Sequence, residues 1–463
     1  MIYLKKIKLN KKNRVSMILL VVLIFSAFFP LLLGSIQSNS PMYTKSNFPS
    51  KLEKSNALID FQQEWNKTWG GINDTYSLAI AKDSNDNIYV IGYDKNTGGG
   101  DQDIYLRKYS PSGDLNWSRT WSTDRDESAY DIGIDANNNI YIVGYYSSGG
   151  GATQNDLVIL KYSVEGNLIN NFTYEVSGDQ IGYALAIKNE YIYVAVKNKT
   201  ASSYPTALFI KFDSNLTLKW CKNWDPGADT TPQGISIYQN HIYFTGETKA
   251  FSGSGYVEPF IVKYDVNGNQ VYAGVWGDDS TNSWGKDILI DSEGNGFLLG
   301  RKWNYGFGTD LLISRFDTSV NYIWNRTWGD SKNEAGYSVV AQDEILYSCG
   351  STSSYGSGSR DLLFIIYDYS GNQLYYSLWG GSDEDISEDI VVIGDEIYIC
   401  GYTKSYAIGG YDGFLLKLKR KTTETTIPPT EPIPSFQLSL VLLSLIIGMG
   451  ITIIILKRIR YIK

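Results

Sequence analysis

The chain has 463 residues, 43% of them apolar, and a formal net charge of −8. That length supplies a full hydrophobic core, and the anionic balance excludes nucleic acid as a partner, because neutralising phosphates needs a basic surface. Three cysteines, at 221, 349 and 400, are too few and too scattered for a disulfide framework or a zinc cluster. The lone His241 excludes a multi-histidine metal site and removes the commonest general base.

The N-terminus opens on basic residues, Lys5, Lys6 and Lys8, then Lys11, Lys12 and Arg14, followed by an apolar run over 17–33. That layout predicts a signal peptide or uncleaved signal anchor over 1–34, and either one sends the rest of the chain across the membrane. Residues 35–60 read as a linker.

From residue 61 onward three series recur at about 52 residues. The first is a tryptophan that closes each unit, at Trp69, Trp121, Trp224, Trp276, Trp328 and Trp379, with Tyr174 at the missing step. The second follows an Ile-Tyr pattern: Tyr89, Tyr141, Tyr193, Tyr243, Phe297, Tyr347 and Tyr398. The third follows a Lys-Tyr pattern: Tyr109, Tyr162, Phe212, Tyr264, Phe316, Tyr367 and Leu418. All three agree on seven copies. With 36 Tyr, 17 Phe, 12 Trp and 45 Gly, each copy reads as short strands linked by hairpin turns rich in Asp, Asn and Gly. In the first copy the strands fall at 77–82, 88–92, 104–109 and 115–121, and four antiparallel strands in such a span make one propeller blade. The last copy lacks a fourth strand. The segment Glu64-Trp-Asn-Lys-Thr-Trp69 matches the fourth strand of the first copy, Asn116-Trp-Ser-Arg-Thr-Trp121, and so supplies it, which removes an open edge. The expected fold is all-β: a seven-bladed propeller over 61–419, closed by its N-terminal strand. The Trp-x-x-x-Trp pairs place both rings on one strand face, and their regular recurrence marks them as packing between blades.

After residue 419 the Thr/Pro-rich stretch 420–435 has no core-forming pattern and favours an extended stalk. Residues 436–456 are apolar enough for a transmembrane helix across a ~30 Å hydrocarbon core, and the basic tail 457–463 stays in the cytoplasm. The expected protein is a single-pass membrane protein with its propeller outside the cell.

The units Asn87–Tyr93, Asn139–Tyr145 and Gly410–Leu418, with Trp-Gly-Gly and Gly-x-Leu-x-Trp around them, resemble the SBBP-type β-propeller repeat of bacterial and archaeal extracellular proteins. The resemblance covers roughly residues 65–419. It implies a secreted or surface propeller and carries no active-site residues onto this chain. The third unit departs most, with Pro205-Thr-Ala207 where the others place an acid.

Four sets of residues invite a chemical reading. An acid precedes each third strand but one, at Asp103, Asp156, Glu258, Asp310, Asp361 and Asp412, and its periodicity marks it as a loop-fixing bond. The hairpins beginning at Asp83, Asp135 and Asp291 partly resemble calcium loops, but Asp94, Tyr146 and Lys302 stand where a bidentate Glu belongs, so they read as turns. Chain direction gathers the loops between blades, and those from second to third strand, on one face. That face carries acids at Asp124, Asp126, Glu127, Asp278, Asp279, Asp330, Glu334, Asp383, Glu384, Asp385 and Glu388, a candidate docking surface for an unknown extracellular protein or glycan. Glycan acceptors are expected among Asn66, Asn73, Asn116, Asn171, Asn198, Asn215 and Asn325.

No nucleophile–base pair, metal set or cofactor motif is legible. The sequence therefore points to a non-catalytic binding or adhesion module, with a propeller enzyme (quinoprotein-like or glycan-active) and a structural envelope spacer as alternatives. A ring centre with converging carboxylates of shifted pKa would favour catalysis, and a flat acidic face would favour binding.

Overall fold

The computed structural model of the chain describes residues 59–95, 102–148, 154–200, 204–251, 255–277 and 281–421. The signal segment, the stalk, the basic tail and the expected span 436–456 lie outside them. Among the described residues no helix is long and apolar enough to cross a membrane.

The described residues form twenty-eight strands, β1 to β28 in chain order, in seven four-stranded antiparallel sheets. The first blade is β2 (Thr75–Lys82), β3 (Ile88–Lys95), β4 (Gln102–Tyr109) and β5 (Leu115–Trp121), with β2 innermost. The pattern repeats up to the seventh blade, whose order is β26 (Asp385–Ile393), β27 (Glu396–Thr403), β28 (Asp412–Arg420) and β1 (Phe61–Trp69). The segment before the first repeat is thus the outer strand of the last one, as its sequence required. Phe61 reaches beyond its own sheet and packs edge-on against Phe364 of the sixth blade at 5.3 Å. Lys417 joins the two chain ends, 2.8 Å from Glu396 and 3.1 Å from Glu64.

The repeat motif explains the core. The tyrosines of the second strands, Tyr89, Tyr141, Tyr193, Tyr243 and Tyr398, are among the largest fully buried side chains, each stabilising the fold by about 2–3 kcal/mol. The first tryptophan of each pair covers the second-strand aromatic. Trp65 lies 6.0 Å from Tyr398, Trp117 5.9 Å from Tyr89, Trp220 6.0 Å from Tyr193 and Trp324 6.3 Å from Phe297. Each indole also abuts a turn glycine of the next blade. At Gly113 (φ +86°) a Cβ would stand 2.8 Å from Trp65, so the turn needs glycine for both conformation and space.

The hairpin between first and second strands is an Asx turn. Asp83 Oδ1 accepts from the backbone N–H groups of Asn85 and Asn87, both at 2.9 Å, and Asp135 and Asp291 repeat the arrangement. The would-be calcium loops are turns. Both ends of the described ring leave from this hairpin face, where the Lys421 N–H donates to the Asp60 carbonyl at 2.8 Å.

Candidate functional site

Every innermost strand carries one β-bulge at the same place. The register breaks between Ser77 and Ala79, Ala129 and Asp131, Gly182 and Ala184, Pro232 and Gly234, Gly285 and Asp287, Gly336 and Ser338, and Ser387 and Asp389. A bulge leaves its extra residue outside the ladder and re-aims it. The seven extra residues are Leu78, Tyr130, Tyr183, Gln233, Lys286, Tyr337 and Glu388, all half-buried.

The glycine of the Ile-Tyr-x-x-Gly pattern permits the bulge. At Gly92, Gly144, Gly246, Gly300, Gly350 and Gly401 an added Cβ would lie between 1.7 and 2.1 Å from a carbonyl oxygen of the bulged strand. Only the third blade places another residue there, Val196, and it faces Gly182. The repeat motif therefore serves the channel as well as the core.

The extra residues converge on the ring axis. Lys286 of the fifth blade donates to Gln233 Oε1 of the fourth at 3.2 Å and lies 6.0 Å from the Tyr337 ring of the sixth. Its charge also reaches Glu388 of the seventh blade. Only a shared centre brings one ammonium within electrostatic reach of four blades.

Tyrosines wall the mouth of this centre. Tyr76 packs on Tyr93 at 4.9 Å, Tyr402 at 4.8 Å and Tyr411 at 5.4 Å, while Tyr130 packs on Tyr183 at 5.0 Å and Tyr145 at 6.1 Å. The Arg301 guanidinium stands 4.6 Å over Trp284. These residues lie at the starts of first and third strands and the ends of second strands. The mouth therefore opens on the loop-bearing face, opposite the chain ends.

Burial sets the electrostatics. It pushes the Glu388 carboxyl up to about 7, against the opposing pull of Lys286 and Arg360. Burial likewise raises Glu247, opposed by Arg301 and Lys286, and raises Tyr76, Tyr337 and Tyr402 above the usual phenol range. Just beside the bulges, Asp389 accepts from the Ile80 N–H at 2.9 Å, Asp131 from the Leu185 N–H at 2.7 Å and Asp287 from the Val339 N–H at 2.9 Å. These three carboxylates clamp one blade to the next and satisfy inner-edge amides. Burial raises all three, Asp287 to about 7.

The residues singled out from sequence fall elsewhere. Of the acids before the third strands, Asp361 clamps its loop as expected, its Oδ2 accepting from the Gly358 N–H at 3.1 Å, and Asp103, Asp156, Glu258 and Asp412 are buried. The acidic docking surface needs correction. Glu127, Glu334 and Asp385 are fully buried and bind their own loops, Glu334 accepting from the Asp330 N–H and Asp385 from the Gly381 N–H. A carboxylate that ties a loop inward cannot meet a partner. Asp124, Asp330 and Asp383 are exposed, Asp126 and Glu384 half-buried, and Glu384 accepts from the Tyr411 hydroxyl; Asp278 and Asp279 lie outside the described residues. Of the sequons, Asn66, Asn116, Asn171, Asn215 and Asn325 are exposed, while Asn73 and Asn198 are half-buried. All three cysteines are free, and Cys349 and Cys400 are buried. Among the described residues no three acids, histidines or cysteines gather as metal ligands.

Sequence reasoning singled out Glu388 as an acid of the loop-bearing face and missed the other channel residues, although a signal was present. Within a regular repeat, one position reads Leu78, Tyr130, Tyr183, Gln233, Lys286, Tyr337 and Glu388. A position that varies in chemistry inside a constant frame is free of the packing that fixes its neighbours.

No family profile matches the chain, and no curated protein matches it. Solved structures do match, at the level of fold. The β-propeller domain of the Trilobed protease from Pyrococcus furiosus is 10% identical, with a TM-score of 0.45, covering 77% of this chain and 99% of that one. A polysaccharide lyase, an ulvan lyase, is 10% identical, with a TM-score of 0.47 over 80% of this chain and 98% of its own. A phage endosialidase is 10% identical, with a TM-score of 0.46 over 80% of this chain and 70% of its own. The expectation that the chain is not an enzyme is corrected here. Two of these neighbours are enzymes by name, so the architecture does not set this chain apart from enzymes.

Proposed function

We propose that this chain is a cell-surface propeller of the SBBP type that binds a glycan at the tyrosine-walled mouth of its central channel. The observation that carries the reading is the ring of seven bulges, one on every innermost strand, which brings Gln233, Lys286, Tyr337 and Glu388 of four successive blades together. Half-buried phenol rings offer flat apolar faces to sugar rings and hydroxyls to their oxygens. Trp303, at the end of a second strand, and Tyr305, Phe307 and Tyr406, on loops, are exposed on the same face and extend that surface outward. A tether leaving from the opposite face, by the expected stalk and membrane span, points the mouth away from the membrane.

The test is titration of the purified full-length chain with a panel of soluble polysaccharides. Tyr337→Ala should weaken binding at least tenfold with little change in melting temperature. An unchanged affinity for every glycan bound by the unaltered chain overturns the placement of the site.

Glu388 favours a second reading, in which the bound glycan is also turned over. A carboxyl held near 7 beside Tyr337 and Tyr402 is poised to exchange a proton at neutral pH. Product analysis after prolonged incubation decides it. Turnover that Glu388→Gln abolishes while binding persists supports this reading, and intact glycan refutes it.

A further inference from the structure

Three cations, Lys286, Arg301 and Arg360, stand at the channel mouth of a chain whose overall charge is −8. Lys286, Arg301 and Arg360 are all half-buried, and none makes an ion pair among the described residues. Half-buried cations are ordinarily paired, because burial costs free energy that an anion offsets. The neighbouring acids do not fill that role. Glu388, Glu247, Asp287 and Asp389 all feel these cations, and burial shifts all four toward the neutral form. Asp131, Asp287 and Asp389 spend their oxygens on backbone amides.

The three cations face one spot. Tyr337 lies 6.0 Å from the Lys286 ammonium, and both Arg301 and Arg360 act on its hydroxyl, as does Glu388. Tyr402 senses Arg360, Glu388 and Tyr337 together. The Arg301 guanidinium stands 4.6 Å over the Trp284 ring, a contact that leaves N–H groups for a planar or tetrahedral anion.

We infer that the ligand is an acidic polysaccharide, whose carboxylate or sulfate groups are bound by Lys286, Arg301 and Arg360 over blades five to seven while its sugar rings lie on the tyrosines. This rests on the glycan reading of the same mouth and adds the charge of the ligand. Association with an anionic polymer through three cations is salt-dependent, because each contact neutralises a charge.

Isothermal titration of the full-length chain tests it with three probes of matched length: polygalacturonate for carboxylate, dextran sulfate for sulfate, and dextran as the neutral control. At low salt at least one acidic polymer should bind tenfold or more tighter than dextran, and which one tells carboxylate from sulfate. Arg301→Gln and Arg360→Gln should each weaken that binding at least fivefold and flatten its salt dependence, leaving affinity for dextran unchanged. Arg360→Lys, which keeps the charge, should retain more binding than Arg360→Gln, and melting temperatures identify any variant that fails to fold. Dextran binding as tightly as both acidic polymers overturns this inference alone. Acidic binding that survives Arg301→Gln with Arg360→Gln also overturns it. If no polysaccharide binds, the glycan reading itself falls.

Discussion

Replacing Gly401 by alanine tests the link between the repeat motif and the channel. The new Cβ would stand 2.0 Å from the Ile386 carbonyl oxygen, 2.8 Å from Ser387 Cα and 2.9 Å from the Ile386 carbonyl carbon. All three are backbone atoms, so no flexible side chain can step aside. Real Cβ atoms stay beyond 3.0 Å of such neighbours, so the carbonyl must withdraw by about 1 Å. Overpacking of that kind costs about 1–3 kcal/mol, and the disturbed ladder of β26 and β27 adds about 1 kcal/mol for a hydrogen bond. The expected loss is therefore about 2–4 kcal/mol. Urea denaturation followed by tryptophan fluorescence reads it, with Gly71→Ala as the control, since a Cβ there meets nothing within 4 Å. Because the same bulge aims Glu388, ligand affinity should fall along with stability. A loss below about 0.5 kcal/mol, matching the control, would refute the claim that these glycines exist to admit the bulge.

Other outcomes follow from the same contacts. Phe61→Ala should cost about 3–5 kcal/mol, since Phe61 is buried against Phe364 and Tyr375 of the sixth blade, and deleting residues 61–69 should destabilise the whole ring in the same denaturation assay. Asp287 and Glu388 have folded-state pKa values of about 7, above their unfolded values of about 4, so the unfolded chain gives up these protons first as pH rises. Their contribution to stability is complete below about pH 4 and is lost by about pH 7, at a slope of at most about 1.4 kcal/mol per pH unit for each group. Melting curves across that range should show the decline, and Asp287→Asn should flatten it. Peptide mapping of the exported chain should find glycans among the exposed Asn66, Asn116, Asn171, Asn215 and Asn325 rather than at the half-buried Asn73 and Asn198.

The architecture was legible because propeller blades are local. Six of the seven four-stranded sheets form from consecutive residues, so Tyr89, Trp121 and their repeats report them by position alone. The closing strand was legible too, since Trp65 and Trp69 copy Trp117 and Trp121. Burial of the acids was only half legible. Glu127, Glu334 and Asp385 stand among exposed loop acids in the sequence, and only the structure shows them folded inward onto amides.

The channel was decided by the tertiary structure alone. A one-residue bulge leaves no mark in composition, and Lys286, Tyr337, Arg360 and Glu388 sit in three different repeats, many tens of residues apart. Sequence repetition determines the blade because its contacts are short-range. The meeting of unlike residues at the axis exists only once the seventh blade has closed upon the first, which brings distant inner strands around a common centre.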